Sequence, residues 1–238
     1  MAEGDDDAIA SSAKPWSGGG REELAAATRR LMTMVVTSSA PPDVLLGAAQ
    51  GANALADRLS PYVPAPGSVP VTRFAEYEVS SGKATTMAEA MPFDMIMGTC
   101  NPVAPPIAIT FRPPKAIGEV TFSPQYEGAP GCVHGAALAG AFDIMLTAAN
   151  FLVNAAGPTV ELTISYRKPT LISQPAVFET WVTGQEGRRT HSQGRLIQGD
   201  VVTVEAVGEF VDMGRARIES MHRRGRRRPT TPSSTDSD

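Results

Sequence analysis

Apolar and polar positions alternate in three different rhythms along the chain. Residues 21–37 hold good helix formers, among them Leu24, Arg29, Arg30, Leu31 and Met32, and Pro41-Pro42 stops the run, which predicts a first helix. Over 43–60, Val44, Leu45, Ala48, Ala52, Leu55 and Leu59 recur at helical spacing and predict a second. Pro61, Pro64, Pro66 and Pro70 then favour an extended segment, and Val71, Phe74, Tyr77 and Val79 suggest a strand over 71–80.

From Pro102 the pattern becomes β-like. Runs at 107–111 and 119–122 read as short strands, separated by Pro113-Pro114 and Gly118. A loop rich in Pro and Gly spans 123–133. His134 to Asn154 is long, rich in Ala and apolar on nearly all sides, so it predicts a helix buried all round, ended by Gly157-Pro158. Four more β-type runs follow, at 160–167, 177–183, 190–197 and 201–211, with Gly184, Gly187, Gly199 and Asp200 as turn residues.

Consecutive strands joined by short turns imply an antiparallel sheet, and one apolar helix against it is an α+β arrangement. A helix apolar all round requires the sheet to curl about it. A second subunit would then cover the edge strand and any exposed side of the helix.

Composition narrows the class. The chain has 238 residues, 42% apolar and 19% charged, enough for a sizeable core in one large domain or two small ones. Two cysteines, Cys100 and Cys132, exclude a disulfide scaffold and read as free thiols. The formal charge of −4 argues against a dedicated nucleic-acid binder, but it is unevenly spread. Residues 1–20 carry −3, 21–212 carry −5, and 213–238, with seven arginines, carry +4. Both ends are poor in apolar residues and read as tails. No export signal is visible, because residues 1–13 are acidic and no apolar run follows, and Asp143, Asn150 and Asn154 interrupt the most apolar stretch, so no membrane span and a cytoplasmic protein are expected.

Asp143 is the residue that needs explaining. It lies among apolar neighbours on a helix expected to be buried, so it must be hydrogen-bonded, paired or shifted in pKa. It is either a structurally satisfied acid or a general base or nucleophile in a partly dry pocket. His134 stands nine residues earlier at the helix start. On one straight helix the two lie on opposite faces, about 13 Å apart, and meet in one pocket only if two subunits share it. A histidine there is more often a cap. The free N–H groups from Gly135 onward offer a way to polarise a carbonyl oxygen.

Gly131, Val133, His134, Gly135, Ala139 and Asp143 together resemble the His-Gly-Gly…Asp signature of hotdog-fold acyl-CoA thioesterases, in the branch of the phenylacetate-pathway enzymes and the mammalian thioesterase superfamily members. Residues 101–106, 124–131, 159–169, Gly187 to Arg189 and 206–211 resemble other ordered segments of that branch. The resemblance implies a hotdog domain over 98–213, between an acidic tail (1–20) with a helical and Pro-rich extension (21–97) and an Arg-rich tail (214–238).

It also implies hydrolysis of an acyl-CoA thioester to a carboxylic acid and CoA, without a cofactor. Asp143 would be general base or nucleophile, with the base favoured, and Thr159 would match the Ser/Thr position that orients the water. The N–H of Gly135 would form the oxyanion hole, with His134 positioning the same region. The Asp and Ser/Thr come from one subunit and the His-Gly from the other, so a homodimer, or a dimer of dimers, is expected.

Ala136 replaces the usual second glycine, and Gly128 stands where some members carry an asparagine. These departures keep open a hotdog protein that binds acyl-CoA without hydrolysing it. A third reading, an assembly module recruiting a partner through its N-terminal helices, rests on the extra length alone. For the CoA phosphates, the basic pairs Arg167-Lys168 and Arg188-Arg189 are candidates, against the plainer reading of a solvated surface.

No Gly-x-Ser-x-Gly elbow, Rossmann or P-loop pattern occurs, and His134, His191, His222 and the cysteines show no metal-ligand spacing. Cys132 with His134 is a weak nucleophile candidate. Arginines in 223–228 suit a tail better than a nucleic-acid site.

Overall fold

The computed structural model describes residues 20–63, 87–155 and 157–212. The expected strand at 71–80, most of the Pro-rich segment and both charged tails lie outside the described residues. Two helices open the described chain where the periodicity placed them, α1 (Arg21–Thr37) and α2 (Pro42–Leu59). A single turn, α3 (Met87–Ala90), follows, then the hairpin β1 (Ala108–Arg112) and β2 (Lys115–Thr121), a 3₁₀ turn Pro124–Tyr126, and the central helix α4 (Gly135–Phe151). The strands β3 (Thr159–Tyr166), β4 (Pro175–Glu186), β5 (Arg189–Gln198) and β6 (Val201–Val211) complete the order.

All pairings are antiparallel, and the six strands form one sheet in the order β1-β2-β4-β5-β6-β3. β3, first after the helix, is placed at the far edge beside the last strand. Alternate residues of the inner strands face α4: Ala116 and Val120 of β2, Ala176, Phe178 and Thr180 of β4, Leu196 of β5, and Val204, Ala206 and Phe210 of β6 are all buried. Phe142 of α4 meets Phe178 edge to face with ring centres 4.9 Å apart. This is the α+β hotdog fold, a sheet wrapped around one central helix.

Three details differ from the sequence reading. α4 stops at Phe151 rather than Asn154, because Asn154 turns into the left-handed region (φ 54°) and the last carbonyls are closed by the N–H groups of Val153, Asn154 and Ala155. Gly118 is inside β2, paired with Ile109 and Phe178, where any Cβ would strike the sulfur of Met145. Gly184 is inside β4 beside a register shift after Val182, so it marks a bulge rather than a turn. Gly187 and Gly199 do make the turns, with φ of 59° and 60°.

Residues 87–107 lie against this core. Met87, Met91, Met97, Ala104 and Ile107 are buried in the same cluster or beside it, so residues on both sides of position 97 share one core. α1 belongs to the same compact unit. α2 falls in a second unit beginning at Ser38; none of its residues is buried, and Val44, Leu45, Leu46, Leu55 and Leu59 are exposed. No helix among the described residues is long and apolar enough to cross a membrane.

Candidate active site

His134 caps α4. Its backbone is extended (φ −63°, ψ 134°) and its Nδ1 accepts the N–H of Ala136 at 3.0 Å. The capping role foreseen as the plainer reading is therefore real, and it has a chemical consequence. With Nδ1 accepting, a neutral imidazole carries its proton on Nε2, a donor on an exposed side chain. The main-chain N–H of His134 donates to the carbonyl of Tyr126 at 2.7 Å, fixing the helix start against the 3₁₀ turn.

The loop that delivers His134 is tightly packed. A Cβ on Gly128 would lie 2.8 Å from the His134 Cα and 2.9 Å from its Cδ2. A side chain at 128 would displace the cap, which accounts for glycine at this position. Ala136 adds its methyl on an exposed part of the helix.

The N–H of Gly135 has no hydrogen-bond partner among the described residues, as expected for the first residue of a helix. Its carbonyl accepts the hydroxyl of Tyr166 at 2.9 Å, and a Cβ on Gly135 would sit 3.1 Å from that oxygen. Tyr166 was not singled out from sequence; its only signal there was its place in the Thr159 to Pro169 resemblance.

More than two turns along α4 from Gly135, Asp143 is half-buried rather than buried. Its Oδ1 accepts the hydroxyl of Thr159 at 2.5 Å. The acid is thus satisfied by a hydrogen bond. The two side chains meet because β3 runs back along α4: Thr159 reaches Asp143 at one end and Tyr166 reaches Gly135 at the other. Ala136, Gly140, Asp143 and Thr147 are spaced three and four apart, and none of the four is buried. They form an open strip on a helix whose other sides are covered. Thr159 and His134 are exposed as well, so the protomer presents these groups at its surface.

The two basic pairs are not brought together. Arg167 and Lys168 both donate their N–H groups to the Thr203 carbonyl, whereas Arg189 pairs with Val211. Eight residues of β6 separate these points, about 27 Å. Arg167 is bonded to Glu205 (2.8 Å), Arg189 to Glu209, and Arg188 Nε to the Asp212 carbonyl (2.9 Å). Cys132 Sγ is directed at the Pro130 carbonyl (3.6 Å), and no hydrogen bond joins it to His134.

The fold is that of hotdog proteins and is similar to that of a thioesterase superfamily structure. Residues 130–205, from the His134 loop through β3 to β6, match the family model of the Thioesterase superfamily. A crystal structure of a thioesterase superfamily protein is 25% identical, with a TM-score of 0.67, covering 82% of this chain and 96% of that one. Zebra fish thioesterase superfamily member 2 is 18% identical over 44% of this chain and 80% of that one (TM-score 0.42). A thioesterase protein with coenzyme A from Streptococcus pneumoniae is 14% identical over 45% and 89% (TM-score 0.43). No curated protein sequence matches the chain significantly. The His134 to Asp143 motif lies within the matched stretch, and the hotdog fold is shared.

Proposed function

We propose that the protein is an acyl-CoA thioesterase acting as a homodimer, with Asp143 as general base. The observation that carries this reading is the Thr159–Asp143 hydrogen bond on the open strip of an otherwise enclosed helix. The Thr159 hydroxyl holds Oδ1, which leaves Oδ2 to take a proton from a water aimed at the thioester carbonyl. The oxyanion that forms is met by the N–H of Gly135 and by His134 Nε2–H of the second subunit. Collapse breaks the C–S bond, and the proton held by Asp143 passes to the departing CoA sulfur. A carboxylic acid and free CoA result.

A dimer is required because Asp143 and Gly135 lie eight residues apart on one helix, about 12 Å along its axis. The exposed strip of α4 and the free edge of β3 are the surfaces assigned to that contact. For the CoA phosphates we favour Arg167 and Lys168, which directly follow Tyr166 and so lie nearest to Gly135 among the basic pairs.

The test is thiol release from a panel of acyl-CoAs. Asp143→Ala should lower kcat by about 10²- to 10⁴-fold with little change in melting temperature. Equal thiol release from the parent and Asp143→Ala on every substrate would refute the assignment. Binding without any turnover would leave the non-hydrolysing acyl-CoA binder instead.

A further inference from the structure

The chain before the sheet builds a rigid structure next to Asp143. Between residues 91 and 101 it is knitted by its own polar groups. Asp94 Oδ1 accepts the N–H groups of Ile96 (2.8 Å) and Met97 (3.0 Å). The Cys100 N–H donates to the Pro92 carbonyl (2.8 Å), and Asn101 Nδ2 to that of Phe93 (3.0 Å). Such Asx-type bonding holds a turn without regular secondary structure.

α1 fastens this turn from outside. Arg29 donates from Nε to the Ala104 carbonyl (3.0 Å) and from Nη2 to that of Asn101 (2.9 Å). The Thr99 hydroxyl donates to Glu22 (2.9 Å), and the Arg21 guanidinium stands 5.8 Å from the centre of the Phe93 ring. From inside, Met91 and Met97 anchor it in the core.

Between those anchors Ile96 reaches α4 at Gly140. A Cβ on residue 140 would come within 2.6 Å of Ile96 Cδ1, so only glycine admits the isoleucine this close. Gly140 and Asp143 are three residues apart on the same open strip, about 4.5 Å along the axis. The isoleucine is thus an apolar wall about one helical turn from the carboxylate.

We propose that Ile96 is a specificity-determining residue that limits the length of the acyl group, selecting short, apolar acyl chains. This rests on the thioesterase reading above. A thioester carbonyl placed beside Asp143 must send its acyl substituent along the strip or away from it, and toward the helix start the strip is blocked by Ile96. The 91–101 turn and α1 hold the Ile96 backbone in place, so the wall can yield only through the isoleucine's own rotamers. Each further methylene refused is worth about 1–3 kcal/mol, or 10- to 200-fold in discrimination.

The experiment uses the full chain with acetyl-, hexanoyl- and dodecanoyl-CoA, measuring both kcat/KM and binding by calorimetry. Ile96→Ala should raise the dodecanoyl-to-acetyl ratio about tenfold or more in one or both readouts, and Ile96→Val should move it less in the same direction. The valine variant keeps the test open if the alanine variant does not fold. An unchanged ratio in both variants would overturn the proposal. If the parent hydrolyses none of the thioesters, the thioesterase reading falls while the binding profile still judges the wall; absence of binding as well would overturn both.

Discussion

The two sides of α4 differ in side-chain size and polarity and have opposite fates. One side, with Leu138, Phe142, Met145, Leu146 and Ala149, is sealed against the sheet. The other, with Ala136, Gly140, Asp143 and Thr147, is left open apart from the approach of Ile96. Size separates them: bulky residues fill the space inside the curled sheet, while small ones keep the remaining strip thin enough for another chain or a ligand to come near. One side of the helix is therefore sealed within the chain, and the other is the surface proposed above for a second subunit.

The largest expected effect breaks the sealed side. Phe142→Ala removes a ring packed edge to face on Phe178 and should cost about 3–5 kcal/mol of stability, read by urea unfolding. Thiol release per folded molecule should change far less. If Phe142→Ala lowers kcat as much as it lowers stability, the two sides do not divide labour as described.

Thr159→Val probes the open side. It keeps the side-chain shape and deletes the hydroxyl that donates to the Asp143 carboxyl and holds it in place as a base, a positioning effect of about 10- to 100-fold in rate. A 10- to 100-fold fall in kcat with an unchanged unfolding midpoint is expected. A fall in stability alone would make Thr159 a structural support.

The smallest effect lies on the far face of the sheet. Phe178 and Thr180 point at α4, so Glu179 points away from it, where it accepts Lys115 Nζ (2.9 Å) and Arg195 Nη2 (2.8 Å). The hydrogen bond from Lys115, with that from Arg195, holds its carboxyl below the ordinary value of 4.5. The depressed pKa makes this contribution complete above 4.5 and progressively lost as pH falls through the folded value. Glu179→Gln should cost less than about 1 kcal/mol near neutrality, and the gap from the parent should close in acid. Thiol release should not change.

Much of the architecture was legible before any coordinates. α1 and α2 begin and end within a residue of their predicted positions, because prolines stop them and their periodicity is regular. The strand runs after α4 were visible from β-branched residues between glycine turns. Their order was not, since nothing local says that β3 pairs with β6 at the sheet edge. The glycines divided the same way: Gly187 and Gly199 are turns for local reasons, whereas Gly118 and Gly140 answer to Met145 and Ile96 across the core.

Of the candidate site, the sequence by itself determined that Asp143 sits on an apolar helix and so needs a partner, and that His134 stands at the start of that helix. Period, burial cost and end-capping are properties of a short stretch of chain, and they act wherever that stretch is placed. Only the tertiary structure decided that Asp143 faces an open strip, that Tyr166 holds the Gly135 carbonyl, that the two basic pairs lie at opposite ends of β6, and that Ile96 stands over Gly140. Each of these is a contact between segments separated by many residues, set by strand order and core packing, and no local pattern of side chains encodes it.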